Sequence, residues 1–208
     1  LLARVASPQI SAFFAELHQS HDVGLHIGAN CQEILQKDGA FTGVQLDDGR
    51  QIAAEVLLVG IGVLPDLDLA ASAGIEAGNG IWVDAMMQSS VQDIFAIGDV
   101  ALIDGAALRV ESVDNAQMTA ARAAAAICGL AQPAMAAPWF WSEQFDVRLQ
   151  SAGIVPLASP DLRHQLRPRK REGGFSVWSY GDHGKLAAVE AVRIHALLAP
   201  LLAIFPTV

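Results

Sequence analysis

The 208-residue chain is 52% hydrophobic and 17% charged, with a formal net charge of −9. That balance excludes a disordered chain and leaves material for a substantial core, while the negative charge argues against non-specific nucleic-acid binding. At this length one large domain or two small ones are expected.

Two cysteines, Cys31 and Cys128, match no metal or redox spacing and are expected as small core residues in a reduced, cytoplasmic setting. No charged stretch with a small-residue cleavage site opens the chain, so no signal peptide is expected. Nor is there a run of about 18 apolar residues to span a bilayer, so no membrane is expected as a partner. The chain begins without Met inside a helix-rich segment, and the expectation is the C-terminal part of a longer protein.

Ile10, Phe13, Phe14 and Leu17 recur at helical spacing and predict a helix over Pro8 to Ser20, with Ser7-Pro8 as its start. Val23 to Ile27 is a short strand candidate. Phe41 to Leu46 and Gln51 to Val56, joined by Asp47-Asp48-Gly49, read as a hairpin with an Asp-Gly turn. Glu55 to Val63 reads as a buried strand closed by G-I-G-V-L-P-D, and Leu67 to Ala73 as a short helix stopped by Gly74. Gly80 to Val83 is a further strand, leading through Ser89-Ser90 to I-F-A-I-G-D (Ile94 to Asp99), an apolar strand that ends in a glycine and a carboxylate. Ala116 to Cys128 is an alanine-rich helix ended by Gly129. Pro133 to Pro138 reads as a linker and a domain boundary. Beyond it, P-W-F-W-S-E-Q-F (Pro138 to Phe145) precedes three antiparallel strands, Val147 to Gly153, Phe175 to Tyr180 and Lys185 to Val192, with turns at Gly173-Gly174 and Gly181 to Gly184.

Several of these residues can carry chemistry. A carboxylate at a strand end, as at Gly98-Asp99, accepts hydrogen bonds from ligand hydroxyls; the plain alternative is a turn or capping Asp. The helix that begins near Asp114-Asn115 offers first-turn N–H groups and a positive dipole end to an anion, or is simply a capped helix on a sheet. Trp139 and Trp141, two apart on an extended segment, point to one side, where one could cover a flat ring while the other packs beneath; such pairs also serve as core. Gly60 and Gly62 permit close backbone approach to a ligand, or form a tight turn. Arg163, His164, Arg167, Arg169, Lys170 and Arg171 form a basic cluster on an acidic background, either a docking patch for an acidic protein or a solvated hairpin loop.

Three segments together resemble a known family. G-I-W-V-D-A-M-M-Q-S-S-V-Q-D-I-F-A-I-G-D-V-A, R-V-E-S-V-D-N-A-Q and P-W-F-W-S-E-Q-F-D-V-R-L-Q-S-A-G are similar to the FAD-dependent NAD(P)H:ferredoxin reductases of aromatic-ring dioxygenase and P450 systems, the rubredoxin and putidaredoxin reductase branch of the pyridine nucleotide-disulphide oxidoreductases. The likeness covers roughly Pro8 to Val192. It implies an α/β fold: a partial flavoprotein of two dinucleotide-binding domains with a C-terminal α+β domain. Residues 1–77 would be the second half of the NAD domain, 78–130 the returning part of the FAD domain, and 137–208 the C-terminal domain. It further implies Gly98 and Asp99 at the FAD ribityl and pyrophosphate, Glu111, Ser112 and Val113 against the isoalloxazine, Glu111 and Trp141 close to the nicotinamide, and Gly60 and Gly62 along the NAD site. The implied cofactors are FAD and NAD, with NADH ahead of NADPH. The implied partner is a ferredoxin or rubredoxin, and a homodimer is compatible with the resemblance.

The sequence departs from the family in two places. Neither G-x-G-x-x-G phosphate-binding fingerprint occurs in these residues, and after Val192 the apolar R-I-H-A-L-L-A-P-L-L-A-I-F-P-T-V no longer follows the pattern. Two other readings stand beside the reductase: a disulfide reductase, which needs a cysteine pair this stretch lacks, and a cofactor-free fragment that acts only in binding or dimerisation.

Overall fold

The computed structural model describes residues 1–106, 108–155, 162–169 and 173–194. It falls into two compact units, one of Leu1 with Ala12–Val63, the other of Leu2–Ser11 with Leu64–Val208. Helix α1 spans Pro8–Ser20, the predicted range. Ile10 and Phe14 are fully buried, and the rings of Phe13 and Phe14 meet edge-on at 5.3 Å.

The first unit holds a three-stranded antiparallel sheet, β1 (Cys31–Lys37), β2 (Ala40–Leu46) and β3 (Gln51–Ala53), in that order. The predicted hairpin is β2–β3. Strand β1 was not expected, although its turn carries the same Asp-Gly signal: Asp38 and Gly39 both have positive φ (53° and 81°), the combination a tight primed turn demands. Gly43 is required by close approach, because a Cβ there would lie 2.3 Å from the Ile52 carbonyl oxygen.

Two predicted strands do not form. Val23 to Ile27 is turn and coil with Ile27 exposed, since no neighbouring segment among the described residues offers it a ladder. Glu55 to Val63 is coil, and its apolar side chains face outward, with Val56 82%, Leu58 93% and Ile61 91% exposed. An all-apolar strand belongs to a sheet paired at its edges and covered on both faces; among the described residues nothing supplies either.

The second unit contains α2 (Asp68–Ser72), stopped at Gly74 as predicted, and β4 (Ile81–Val83), which pairs in parallel with β5 (Ala101–Ile103). The predicted strand at Ile94–Ile97 is reduced to one bridge, Phe95 with Gln88. Asp99 therefore does not end a strand. It sits inside a single 3-10 turn, Gly98–Val100, and the true strand follows it. Ala96 is buried in the core and Phe95 packs against it, while Ile94 and Ile97 are exposed and the segment forms no ladder. Helix α3 (Val113–Ile127) starts earlier than predicted, because Ser112 caps it. Val83, Met87, Ala96, Ala101 and Ala123 make the core between β4, β5 and α3. Arg122 of α3 fastens the flanking loops, donating to the carbonyls of Ala85 (2.6 and 2.9 Å) and Pro133.

After the coil at 131–138 comes a five-stranded antiparallel sheet: β6 (Trp139–Gln144), β7 (Val147–Gly153), β8 (Arg163–Pro168), β9 (Phe175–Tyr180) and β10 (Leu186–Val192), ordered β6-β7-β10-β9-β8. Ala152 and Val189 pack against Trp139, Trp178 and Leu186 on one face. Glu190, the next residue along β10, faces the other way and is fully buried. Both of its carboxylate oxygens accept from the Ser7 N–H, at 3.0 and 3.2 Å. Of the basic cluster, Arg163, His164 and Arg167 lie on an edge strand, β8, with Arg167 stacked 4.0 Å from the Trp178 ring, and Arg169 follows it in the connection to β9. Lys170, Arg171 and the tail from residue 195 lie outside the described residues.

The cysteine expectation is overturned. Cys31 and Cys128 are both exposed free thiols rather than core residues, one at the start of β1 and one at the C-cap of α3. Among the described residues no helix is long and apolar enough to cross a membrane.

Candidate functional site

The residues expected around a flavin gather where α3 begins. Ser112 has extended backbone and its hydroxyl accepts the Asn115 N–H at 3.1 Å, satisfying one of the donors a helix start leaves open. Asn115 is buried and its side-chain amide donates to the Val110 carbonyl at 2.8 Å, which fixes the approach of R-V-E-S to the helix. One turn on, the buried Thr119 hydroxyl donates to the Asn115 carbonyl at 2.7 Å and accepts the Gly98 N–H at 2.9 Å. A continuous run of hydrogen bonds thus ties the 3-10 turn carrying Asp99 to the start of α3.

Gly98 is needed at this junction. Its φ of +69° is left-handed, a backbone conformation that residues bearing a Cβ rarely adopt. Asp99, the next residue, is exposed, as are Glu111 and Val113. Arg109 joins the two groups: one guanidinium nitrogen donates to the Asp99 carbonyl, and another lies 2.8 Å from the Glu111 carboxylate. The Arg109 side chain is only 8% exposed, against 46% for Glu111. Its Nε is buried and finds no acceptor among the described residues. Within this cluster lie Gly98, Asp99, Glu111, Ser112 and Val113, five of the predicted site residues.

Trp141 stands on β6, which packs against α3. Its ring stacks on Trp139 at 4.9 Å and 26°, as the two-residue spacing implied. Trp141 is 39% exposed, so it keeps a free face while Trp139 supports it from below. Gly60 and Gly62 are in the first unit, in exposed coil, with Gly62 at φ 114°. A surface cavity of about 480 Å³ beside β4, lined by Glu76, Trp82, Asp84, Gln88 and Asp104 among others, includes none of the expected site residues. Three carboxylates line it, yet no His, Cys, Asp or Glu cluster suited to a metal occurs among the described residues.

Of the titratable groups in the C-terminal sheet, burial holds His164 below the usual histidine range, its Nδ1 lying 2.9 Å from the Ser179 hydroxyl. Burial pushes Glu190 above the usual carboxylate range, and the hydrogen-bonding groups of Ser7 pull it part of the way back. Neither borders the Asp99–Glu111 cluster through any of these bonds. Arg109 and Thr119 were not singled out in the sequence. The signal for Arg109 was a lone arginine two residues before Glu111 and the capping Ser112; Thr119 gave none beyond a hydroxyl in an alanine-rich helix.

The donor set fits an FAD. It offers an exposed carboxylate for ribityl or ribose hydroxyls, a capped helix start for the electron-rich edge of the ring, a left-handed glycine that allows close approach, and a half-exposed indole. What it lacks is a fingerprint loop for the pyrophosphate.

The second unit thus combines a parallel strand pair backed by α3 with a five-stranded antiparallel sheet that carries a part-exposed tryptophan, a mixed α/β arrangement. The chain belongs to the pyridine nucleotide-disulphide oxidoreductase family, whose model matches residues 1–120, and residues 139–198 match the reductase C-terminal model. It is 44% identical over 200 residues to the ferredoxin reductase subunit of a 5,5'-dehydrodivanillate O-demethylase from a Sphingobium species, covering 93% of this chain and 47% of the relative. Putidaredoxin reductase CamA from Pseudomonas putida is 36% identical, with 93% and 46% covered. Among solved structures, the ferredoxin reductase for the CYP199A2 system of Rhodopseudomonas palustris superposes with a TM-score of 0.85 at 38% identity, covering 93% of this chain and 48% of that one. A covalent putidaredoxin reductase–putidaredoxin complex gives 0.88 at 31%, covering 97% and 49%. The chain spans about half the length of the relatives it matches.

Proposed function

We propose that this chain is the flavin-facing and C-terminal part of an NADH-dependent ferredoxin reductase, with residues 1–77 as the second half of an NAD domain, 78–130 as the returning part of an FAD domain and 137–208 as the C-terminal domain. The observation that carries the reading is the cluster at the start of α3, where Asp99 and Glu111 are both exposed and both tied to Arg109. Bound there, FAD supplies hydride acceptance from a reduced nicotinamide and delivery of single electrons. The chain's own residues position and exclude. Asp99 accepts from cofactor hydroxyls, and Gly98 lets the backbone come close. The α3 start, capped by Ser112 and followed by Val113, favours negative charge on the ring edge at no reorganisation cost. Trp141 covers one ring face and Glu111 borders the nicotinamide, while Gly60 and Gly62 line the NAD site. No side chain is required as an acid or base.

The relatives act with ferredoxin-type proteins by their names, and one solved relative is bound to putidaredoxin. An iron–sulfur protein of an aromatic-ring oxygenase or P450 system is the acceptor proposed here. NADH is the proposed donor and the cytoplasm the proposed compartment.

The test is to purify the natural polypeptide in which residues 1–208 occur and mix it anaerobically with NADH. Flavin absorbance should bleach and return when an oxidised ferredoxin is added. The 208-residue chain alone should be colourless, because it carries neither phosphate-binding fingerprint. No flavin in the natural polypeptide, or a flavin that NADH does not bleach, removes the reading.

A further inference from the structure

Arg109 is a buried cation to which the flavin reading assigns no role of its own. Its side chain is 8% exposed, so its charge has been taken largely out of water. Two of its nitrogens are engaged, one on the Asp99 carbonyl and one on the Glu111 carboxylate, while its Nε is buried without an acceptor among the described residues. The fold makes room for it. A Cβ at residue 80 would lie 2.5 Å from the Arg109 Cδ and 2.8 Å from the Val100 carbonyl oxygen, so the glycine before β4 leaves the space its stem occupies. Arg109 stands ten positions after Asp99, beyond β5, and its side chain reaches back to the Asp99 carbonyl.

We infer that Arg109 is a positioning and charge-balancing residue for the flavin: it fixes where Glu111 stands and neutralises that carboxylate, so that the carboxylate does not oppose reduction of the ring beside it. This rests on the proposed placement of Asp99 and Glu111 at an FAD. The physical ground is electrostatic. A reduced flavin gains negative charge, and an unpaired carboxylate beside it disfavours that gain. With Arg109 paired to it at 2.8 Å, Glu111 presents close to no net charge. The same guanidinium holds the backbone of Asp99, so the two site residues keep a fixed spacing.

The experiment measures the flavin midpoint potential and the FAD dissociation constant of the natural polypeptide, with R109Q, R109K, E111Q and R109Q/E111Q. R109Q should shift the potential in the negative direction and weaken FAD binding on the order of tenfold, the loss of one charge-assisted hydrogen bond. E111Q should shift the potential positive, because it leaves the cation unbalanced. R109Q/E111Q should return the potential close to wild type while affinity stays low. R109K should keep the potential and lose part of the affinity, since an ammonium lacks the fork that spans both acceptors. A merely structural arginine would lower affinity in R109Q without the potential returning in the double variant. If R109Q holds no flavin, E111Q alone decides: a positive shift supports the inference and an unchanged potential overturns it. A wild type that binds FAD with E111Q unchanged removes this inference alone. A wild type that binds none removes the underlying reading and this inference with it.

Discussion

Two stretches of this chain are equally apolar in sequence and opposite in structure. Strand β10, L-A-A-V-E-A-V, is buried along nearly its whole length. The run Val56 to Leu64, V-L-L-V-G-I-G-V-L, is coil with most of its large side chains in the open. Propensity does not separate them. What differs is the source of their neighbours. β10 is flanked by β7 and β9, antiparallel strands supplied from the same stretch of chain. A continuous apolar run such as Val56 to Leu64 is characteristic of parallel sheets, whose neighbours arrive from distant sequence through crossovers. Burial is thus a property of the completed sheet, and apolar composition reports only that burial is needed.

The sharpest way to break this contrast is a cavity in the completed sheet. Leu149 on β7 is fully buried, and Leu149→Ala should cost about 2–5 kcal/mol, the range for a large-to-small change in a packed core. A urea denaturation curve on the 208-residue chain measures it. A loss below about 1 kcal/mol would mean that the sheet is no better packed than the exposed run.

The next effect concerns Glu190, a charged side chain fully buried inside that sheet. Glu190 is buried, and its pKa is raised by burial. A carboxyl that holds its proton more tightly when folded stabilises the fold below the unfolded value of about 4.3, and that contribution is lost as pH rises through the folded value. Glu190→Gln keeps an acceptor for the Ser7 N–H and removes the titration. It should therefore flatten the pH dependence of stability above about pH 4.3 and match or exceed wild type at neutral pH. Glu190→Ala should cost about 1–3 kcal/mol at every pH, by leaving a buried N–H without its partner. Urea curves between acid and neutral pH distinguish the two. If Glu190→Gln loses stability as pH rises just as wild type does, the titrating group is another.

How much of this was legible follows the same division. Helix α1 and strands β7 and β9 match their predicted ranges, because their periodicity is completed by nearby chain. Trp139 and Trp141 stack as their spacing implied. The failures lie where the chain needs distant partners: Val23–Ile27, Glu55–Val63 and Ile94–Ile97 all read as strands and none forms one. Asp99 was legible as an exposed carboxylate after glycine, yet its setting in a 3-10 turn was not. Arg109 was invisible for another reason. Its role comes from reaching the Asp99 carbonyl and the Glu111 carboxylate together, and that depends on loop closure and on the space beside Gly80. No local pattern encodes such a contact. Strand β1 was missed although its signal was present, since Asp38-Gly39 is the same turn dipeptide that correctly marked the neighbouring hairpin.

The smallest expected effect tests the open side of the comparison. Val59 is 64% exposed and Ile61 91%, so replacing both by Ser should change the stability of the 208-residue chain by no more than about 0.5 kcal/mol, the scale for surface sites. Less exposed apolar surface should also raise the concentration at which the chain remains monomeric. In the natural polypeptide the same double change should behave differently wherever this run is paired as a central strand: each polar replacement would then be buried and cost about 1–3 kcal/mol. Urea curves for both forms, measured side by side, give the difference. Equal, near-zero effects in the two forms would show that Val56–Leu64 is a surface loop in its own right. A loss confined to the natural polypeptide would show that these residues are a strand waiting for its sheet, and that the proposed NAD domain is completed by sequence outside these 208 residues.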